Sequence, residues 1–210
     1  MFENLIEVLK NDPRKIVYTE GSDARILESA ARLKKDGFLT PILVGKVDEV
    51  KAAAAKGGFD IEGLEILDPA TYEGMDAMVD EMVALRKGKM SAEDCRAALS
   101  KGNYFGTMLV KMGVADCLLG GATYSTADTV RPALQLVKTK KGAHLVSSCF
   151  IMIRGDETLA MGDCAINIDY QDTVDKEGNV TFTAAQKLAE VAIATAETAK
   201  VFGIDPKVAM

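Results

Sequence analysis

Tryptophan is absent from the 210-residue chain, and histidine occurs once, at His144. A zinc or iron centre built on imidazoles needs several, so no such site is expected. The four cysteines, Cys95, Cys117, Cys149 and Cys164, form no CxxC pair and are too scattered to substitute. Their spacing predicts buried free thiols in a reducing compartment, hence a cytoplasmic protein. Imidazole acid–base chemistry would rest on His144 alone. It sits in Lys141-Gly142-Ala143-His144-Leu145, a predicted helix-to-strand junction, where a structural role is expected.

Other absences narrow the function further. No GxxxxGK[ST] and no GxGxxG after a strand occur, so nucleotide hydrolysis and dinucleotide binding lose support. No apolar run approaches the ~20 residues of a membrane span. The opening Met1-Phe2-Glu3 lacks the basic and then apolar regions of a signal peptide. Lys and Arg number 25 against 31 Asp and Glu, a net charge of -6, where a nucleic-acid groove wants a basic balance. The short run Lys138, Lys140, Lys141 reads as a solvated helix end, or as a contact for a phosphorylated cofactor.

What is present is an ordinary globular composition, 48% hydrophobic and 27% charged. Helical spacing over Phe2–Lys10 is broken by Asp12-Pro13. Strands are predicted at Lys15–Thr19, Thr40–Val44, Leu64–Leu67 and Ala115–Leu119. Helices are predicted at Ala24–Lys35, Val47–Lys56, Tyr72–Lys87 and Tyr104–Met112, with a further helix ending at Leu134–Thr139. Ser91 and Asp94 have capping-box spacing, as do Thr183 and Gln186 before a helix to Val201. Strand–helix alternation implies a parallel sheet covered on both faces. The pattern changes near Gly142: Leu145–Ile153 reads as a long strand that returns through Thr158–Met161 as a hairpin. Lys207–Met210 reads as the start of another strand, so the second domain is expected to be cut short and to leave a sheet face uncovered.

The segment Asp116–Pro132 carries the chemistry. A strand runs into Gly120-Gly121, then hydroxyl residues, then a helix holding Arg131. Helix N-termini offer unpaired N–H groups, glycines permit close approach, and a guanidinium grips phosphate oxygens in two places. In open parallel sheets ligands sit at the carboxyl ends of strands. These features describe an anion site. The other reading open at this point is a plain helix cap, Ser125 with Asp128, and a helix disturbed by Pro132.

Asn103–Gly113 followed by Ser125–Gln135 resembles the phosphate acetyltransferase family. So do Glu20-Gly21 with Asp23 and Arg25, Ser147-Ser148 before Phe150-Ile151-Met152, and Asp163-Cys164-Ala165 with Asn167. The likeness covers the whole chain in order. It implies an α/β fold of isocitrate/isopropylmalate dehydrogenase type: a three-layer αβα parallel-sheet domain over residues 1–142 and a partial α/β domain over 143–210. It implies reversible acetyl transfer between coenzyme A and inorganic phosphate, with acetyl-CoA and acetyl phosphate as the other substrates. It also implies a homodimer, and neither metal nor bound prosthetic group.

Carried over residue by residue, Arg131 and Arg86 match cleft arginines, and Ser125, Thr126 and Thr129 match cleft hydroxyls. Tyr124 departs from the family, which often has histidine there. Glu20, Asp23 and Arg25 are expected to form a loop network beside the cleft rather than to catalyse. The family's catalytic residues match nothing up to Met210, so no catalytic residue is assigned and the chain alone is expected to be impaired. Three other readings stand beside this one: a coenzyme A- or phosphate-binding module without chemistry, a structural half of a dimer, and a phosphate butyryltransferase.

Overall fold

The computed structural model describes residues 2–210. Two compact units result, Phe2–Lys138 and Thr139–Met210.

The first unit is built on four parallel strands, β1 (Arg14–Tyr18), β2 (Leu39–Val44), β3 (Glu65–Leu67) and β4 (Cys117–Leu119), in the order β3-β2-β1-β4. Val17 lies opposite both Ile42 and Leu118. Successive side chains alternate between the two faces, which creates two cores. Val17, Ile42 and Val44 pack with Met78, Met82, Leu99, Phe105 and Met108. These come from α4 (Met75–Arg86), α5 (Ala92–Leu99) and α6 (Gly102–Lys111). Tyr18 and Leu43 pack on the other side with Ile26, Leu27, Ala30, Val50 and Ala54 of α2 (Ala24–Asp36) and α3 (Val47–Gly57). This is the expected three-layer αβα arrangement. The amphipathic α1 (Phe2–Asn11) precedes it with no fully buried residue.

The local signals explain most boundaries. Asp23 caps α2 by accepting the N–H of Arg25 at 2.9 Å. Ser91 and Asp94 form the expected capping box on α5. The helix predicted from Tyr72 begins only at Met75. Tyr72 instead packs edge-on against Phe105, with ring centroids 5.1 Å apart. At the start of α6, a Cβ on Gly102 would lie 2.4 Å from the Thr19 carbonyl oxygen. Only glycine lets α6 enter so close to the end of β1.

The second unit has an antiparallel hairpin, β5 (Cys149–Arg154) with β6 (Glu157–Gly162), and a small one, β7 (Thr173–Val174) with β8 (Val180–Phe182). The latter was not foreseen. The helix 184–201 carries the expected Thr183–Gln186 capping box. The long strand expected from Leu145 starts only at Cys149. Upstream of it, loop groups take the backbone hydrogen bonds that a neighbouring strand would supply. Asn167 Nδ2 donates to the Val146 carbonyl at 3.0 Å, and Asp163 N–H donates to the Ser148 carbonyl at 2.5 Å.

The strand expected at Lys207–Met210 is likewise absent, because among the described residues no strand pairs with it. Phe150, Met152, Leu159 and Met161 of the hairpin remain exposed. His144 stacks on Phe182 (4.2 Å) and its Nδ1 sits 3.1 Å from Glu190, a structural use. Buried thiols were expected throughout, yet only Cys95 is buried. Cys117 lies on an edge strand, Cys149 opens the uncovered hairpin, and Cys164 follows it in a loop. Among the described residues no helix is long and apolar enough to cross a membrane.

Phe105 is fully buried between the sheet and α4. Phe105→Ala is expected to cost about 3–5 kcal/mol, measured as a lowered midpoint of urea unfolding. A loss below about 1 kcal/mol would contradict this account of the core.

Candidate functional site

The strand order places β2 on one side of β1 and β4 on the other. The loops that leave β1 and its neighbour β4 therefore meet at the carboxyl edge of the sheet, where ligands of such sheets sit. A cleft of about 510 Å³ lies at these strand ends. Thr19–Asp23, Gly45-Lys46 and Thr123-Tyr124 line it.

The loop after β4 does not present its N–H groups to an incoming anion. The Glu20 carboxylate already takes them. Oε2 accepts the N–H of Gly121 at 2.9 Å and of Ala122 at 3.1 Å. Oε1 accepts the N–H of Thr123, the Thr123 hydroxyl at 2.9 Å and the Tyr124 N–H at 2.9 Å. Gly121, at φ 106°, lets the backbone curl around the carboxylate. Burial alone would raise the Glu20 pKa, but the bonds from Thr123, Tyr124 and Ala122 outweigh it and hold it below the ordinary value. The glycine–hydroxyl stretch expected to cradle a ligand is thus an internal anion nest.

Arg25 closes the second side of this loop. Its Nη2 donates to Asp23 at 2.7 Å and to the Ala122 carbonyl at 2.7 Å, and its Nε to Asp23 at 2.9 Å. The guanidinium, opposed by burial and joined by the backbone N–H of Arg25, lowers the Asp23 pKa to about 2. Glu20, Asp23 and Arg25 thus form the expected network.

The chain then enters α7 (Thr126–Pro132). Ser125 caps it: Oγ accepts the Asp128 N–H at 3.1 Å and donates to the Asp128 carboxylate at 2.7 Å. The Thr129 hydroxyl donates to the Ser125 carbonyl at 3.1 Å. Both hydroxyls therefore serve the helix, which the plain-cap reading foresaw for Ser125 alone. Thr126 is exposed, with no side-chain bond among the described residues. Arg131 is exposed and has no carboxylate partner among the described residues. At 100° per residue, Arg131 lies at least about 120° around the helix from Ser125, Thr126 and Thr129. The expected stack of guanidinium above hydroxyls does not form on one face.

Pro132 has no N–H for the Asp128 carbonyl four residues earlier. Asn103, buried at the start of α6, donates its Nδ2 there instead at 2.7 Å. The helix continues as a π-helical turn, Ala133–Val137, ended by Lys138 at φ 66°. The fifth expected residue, Arg86, ends α4 on a separate element. It is half-buried, and its Nε is buried without a partner. That differs from an idle surface arginine. The π-helical turn packs on α4, and Lys138 Nζ lies 3.4 Å from the Leu85 carbonyl.

Residue-type reasoning missed Glu20 as the nest's occupant and Asn103 as the substitute donor. The proline inside the helix was the available signal for the second. Tyr124 lines the cleft, and burial pushes its phenol up against the opposing pull of the Asn103 and Gly102 amides.

Two outcomes follow. Because the Glu20 pKa is depressed on folding, its bonds stabilise the loop above the unfolded value of 4.5 and lose that contribution as pH falls through the folded one. Hydrogen-exchange protection at Gly121–Tyr124, taken against the intrinsic rate at each pH, is expected to fall below that value, before that of the core amides. Asn103→Ala strands the Asp128 carbonyl and is expected to cost about 1–3 kcal/mol in thermal or urea unfolding.

The sequence matches the phosphate acetyl/butaryl transferase family over residues 1–210. A phosphate acetyltransferase of Bacillus subtilis (strain 168) is 47% identical over 212 residues, which cover 100% of this chain and 61% of its own. One from Staphylococcus aureus (strain MRSA252) is 44% identical, covering 99% of this chain and 60% of its own. A crystal structure of a phosphotransacetylase from Streptococcus pyogenes superposes with a TM-score of 0.89 at 46% identity, covering 100% of this chain and 60% of its own. The EutD phosphotransacetylase from Staphylococcus aureus gives 0.83 at 42%, over 97% of this chain and 59% of its own. The chain thus spans about 60% of the length of the curated relatives it matches. With the sequence matched over residues 1–210, this chain belongs to the phosphate acetyl/butaryl transferase family.

Proposed function

We propose that this chain belongs to a phosphate acetyltransferase and supplies its grip on coenzyme A and phosphate. The observation that carries the reading is Arg131. It is an exposed guanidinium free of any carboxylate among the described residues, on a helix leaving the strand-end crevice. A permanently charged fork with open donors suits the phosphates of coenzyme A or inorganic phosphate. Arg86, with its unpartnered Nε, is proposed as a second contact. Thr126 offers a free hydroxyl, while Ser125 and Thr129 keep spare lone pairs and fix the helix start. The names of the relatives favour acetyl over butyryl transfer.

In the proposed reaction, phosphate oxygen attacks the acetyl carbonyl of acetyl-CoA, and acetyl phosphate forms as the coenzyme A thiolate leaves. In reverse, the thiol, with a pKa near ~8.5, must first lose its proton. Holding both substrates in register contributes ~7–11 kcal/mol, and one donor to the developing oxyanion ~2.7–4 kcal/mol. No residue of this chain is assigned to the proton transfer, so holding the two anionic substrates is its proposed share. A homodimer and a cytoplasmic location belong to the same proposal, supported by the resemblance and by free thiols at Cys95, Cys117, Cys149 and Cys164.

Calorimetry with coenzyme A tests this. The 210-residue chain is expected to bind, and Arg131→Gln to weaken binding ~10- to 100-fold, the scale of a charge-assisted hydrogen bond. The melting temperature should hardly move, since Arg131 has no protein partner among the described residues. Equal affinity in the variant, or no binding by the parent chain, refutes the proposal.

A further inference from the structure

The route from β4 into α7 carries a constraint that none of the proposed ligand contacts explains. Between Leu119 and Ser125 the chain has no helix or strand of its own. What chiefly fixes its path is Glu20, more than a hundred residues earlier, which takes its N–H groups, while Arg25 holds only the Ala122 carbonyl.

That carboxylate is buried and has no ion-pair partner among the described residues. Its charge is balanced by oriented N–H groups and the Thr123 hydroxyl, with Thr19 Oγ1 adding a contact at 3.3 Å. Such bonds are directional, and consecutive amides converging on two oxygens fix the orientation of every peptide between Gly121 and Tyr124. Tyr124 adjoins the N-cap, Ser125, so this orientation sets the entry of α7. The first turn of the helix is pinned separately, by Asn103 on the Asp128 carbonyl at 2.7 Å.

We propose that Glu20 is a positioning residue: through the Gly121–Tyr124 loop it sets the placement of Thr126 and Arg131 without touching the ligand itself. The inference rests on the reading of α7 as the coenzyme A- and phosphate-binding helix. Neutralising Glu20 as glutamine turns one acceptor oxygen into an NH2 facing backbone N–H groups. The loop must then open ahead of the helix while Asn103 still holds the Asp128 carbonyl, so the helix pivots about that point. A displacement of about 1 Å in a positioning element costs up to ~100-fold.

The test is coenzyme A titration of the 210-residue chain in five forms: parent, Glu20→Gln, Thr123→Val, Arg131→Gln and Leu27→Ala. Leu27 is fully buried in the core that Ala122 rims, yet takes part in none of the hydrogen bonds to Glu20, so its truncation lowers stability while leaving those bonds in place. Glu20→Gln is expected to weaken binding ~10- to 100-fold, with faster hydrogen exchange confined to Gly121–Tyr124 and the first turn of α7. Thr123→Val removes a single donor and, as the milder variant, should weaken binding about two- to fivefold. Leu27→Ala should bind like the parent. If parent and Leu27→Ala bind, Arg131→Gln binds weakly, and both Glu20→Gln and Thr123→Val match the parent, the positioning role is overturned while the ligand-binding reading stands. Affinity lost in Leu27→Ala in proportion to stability would overturn it too. Failure of the parent to bind would overturn both.

Discussion

A buried carboxylate survives only if its lost hydration is replaced, and at Glu20 the replacement is a loop of backbone amides. Much of the strand-end architecture follows. The loop after β4 must curl, so a glycine stands at its head. It must meet the end of β1, so α6 must pass close by without a side chain at Gly102. The residues facing solvent beyond the nest are then the ones left to meet a ligand.

The same logic of substituted partners recurs along α7. Proline removes a donor from the helix, and a buried asparagine from a neighbouring helix restores it. The substitution ties α6 to α7 at a point where an unbroken helix would have needed no tie. The motif that makes the family recognisable, Asn103 through Gln135, is thus partly a set of compensations. Asn103 answers Pro132, and Tyr104 Oη donates to Gln135 at 2.9 Å.

Signals confined to a few residues were legible in the sequence. The apolar period marked most helices of the first unit, and the Ser91 and Thr183 caps appeared where spacing put them. Periodicity failed where partners decide. Leu145–Ser148 has strand composition, yet loop groups took its backbone carbonyls at Val146 and Ser148. The chemistry of the Gly120–Arg131 stretch was legible as anion binding, but not whose anion: the first to arrive is the protein's own. No spacing rule joins Glu20 to Thr123, because only the parallel crossover brings them together. The position of Arg131 relative to the hydroxyls was computable from the helix repeat once the first residue of α7 was known.

Strand length has a consequence for how the molecule behaves at high concentration. The outer strands of the parallel sheet, β3 and β4, are three residues each, too short to template the addition of a foreign strand. The β5–β6 ribbon is the opposite case. Each of its strands runs six residues, both outer rims lack a neighbour among the described residues, and Phe150, Met152 and Leu159 stand in solvent. Self-association of this polypeptide in a crowded solution should therefore nucleate at that ribbon, and a charge placed on its rim is the change that would keep the material dispersed.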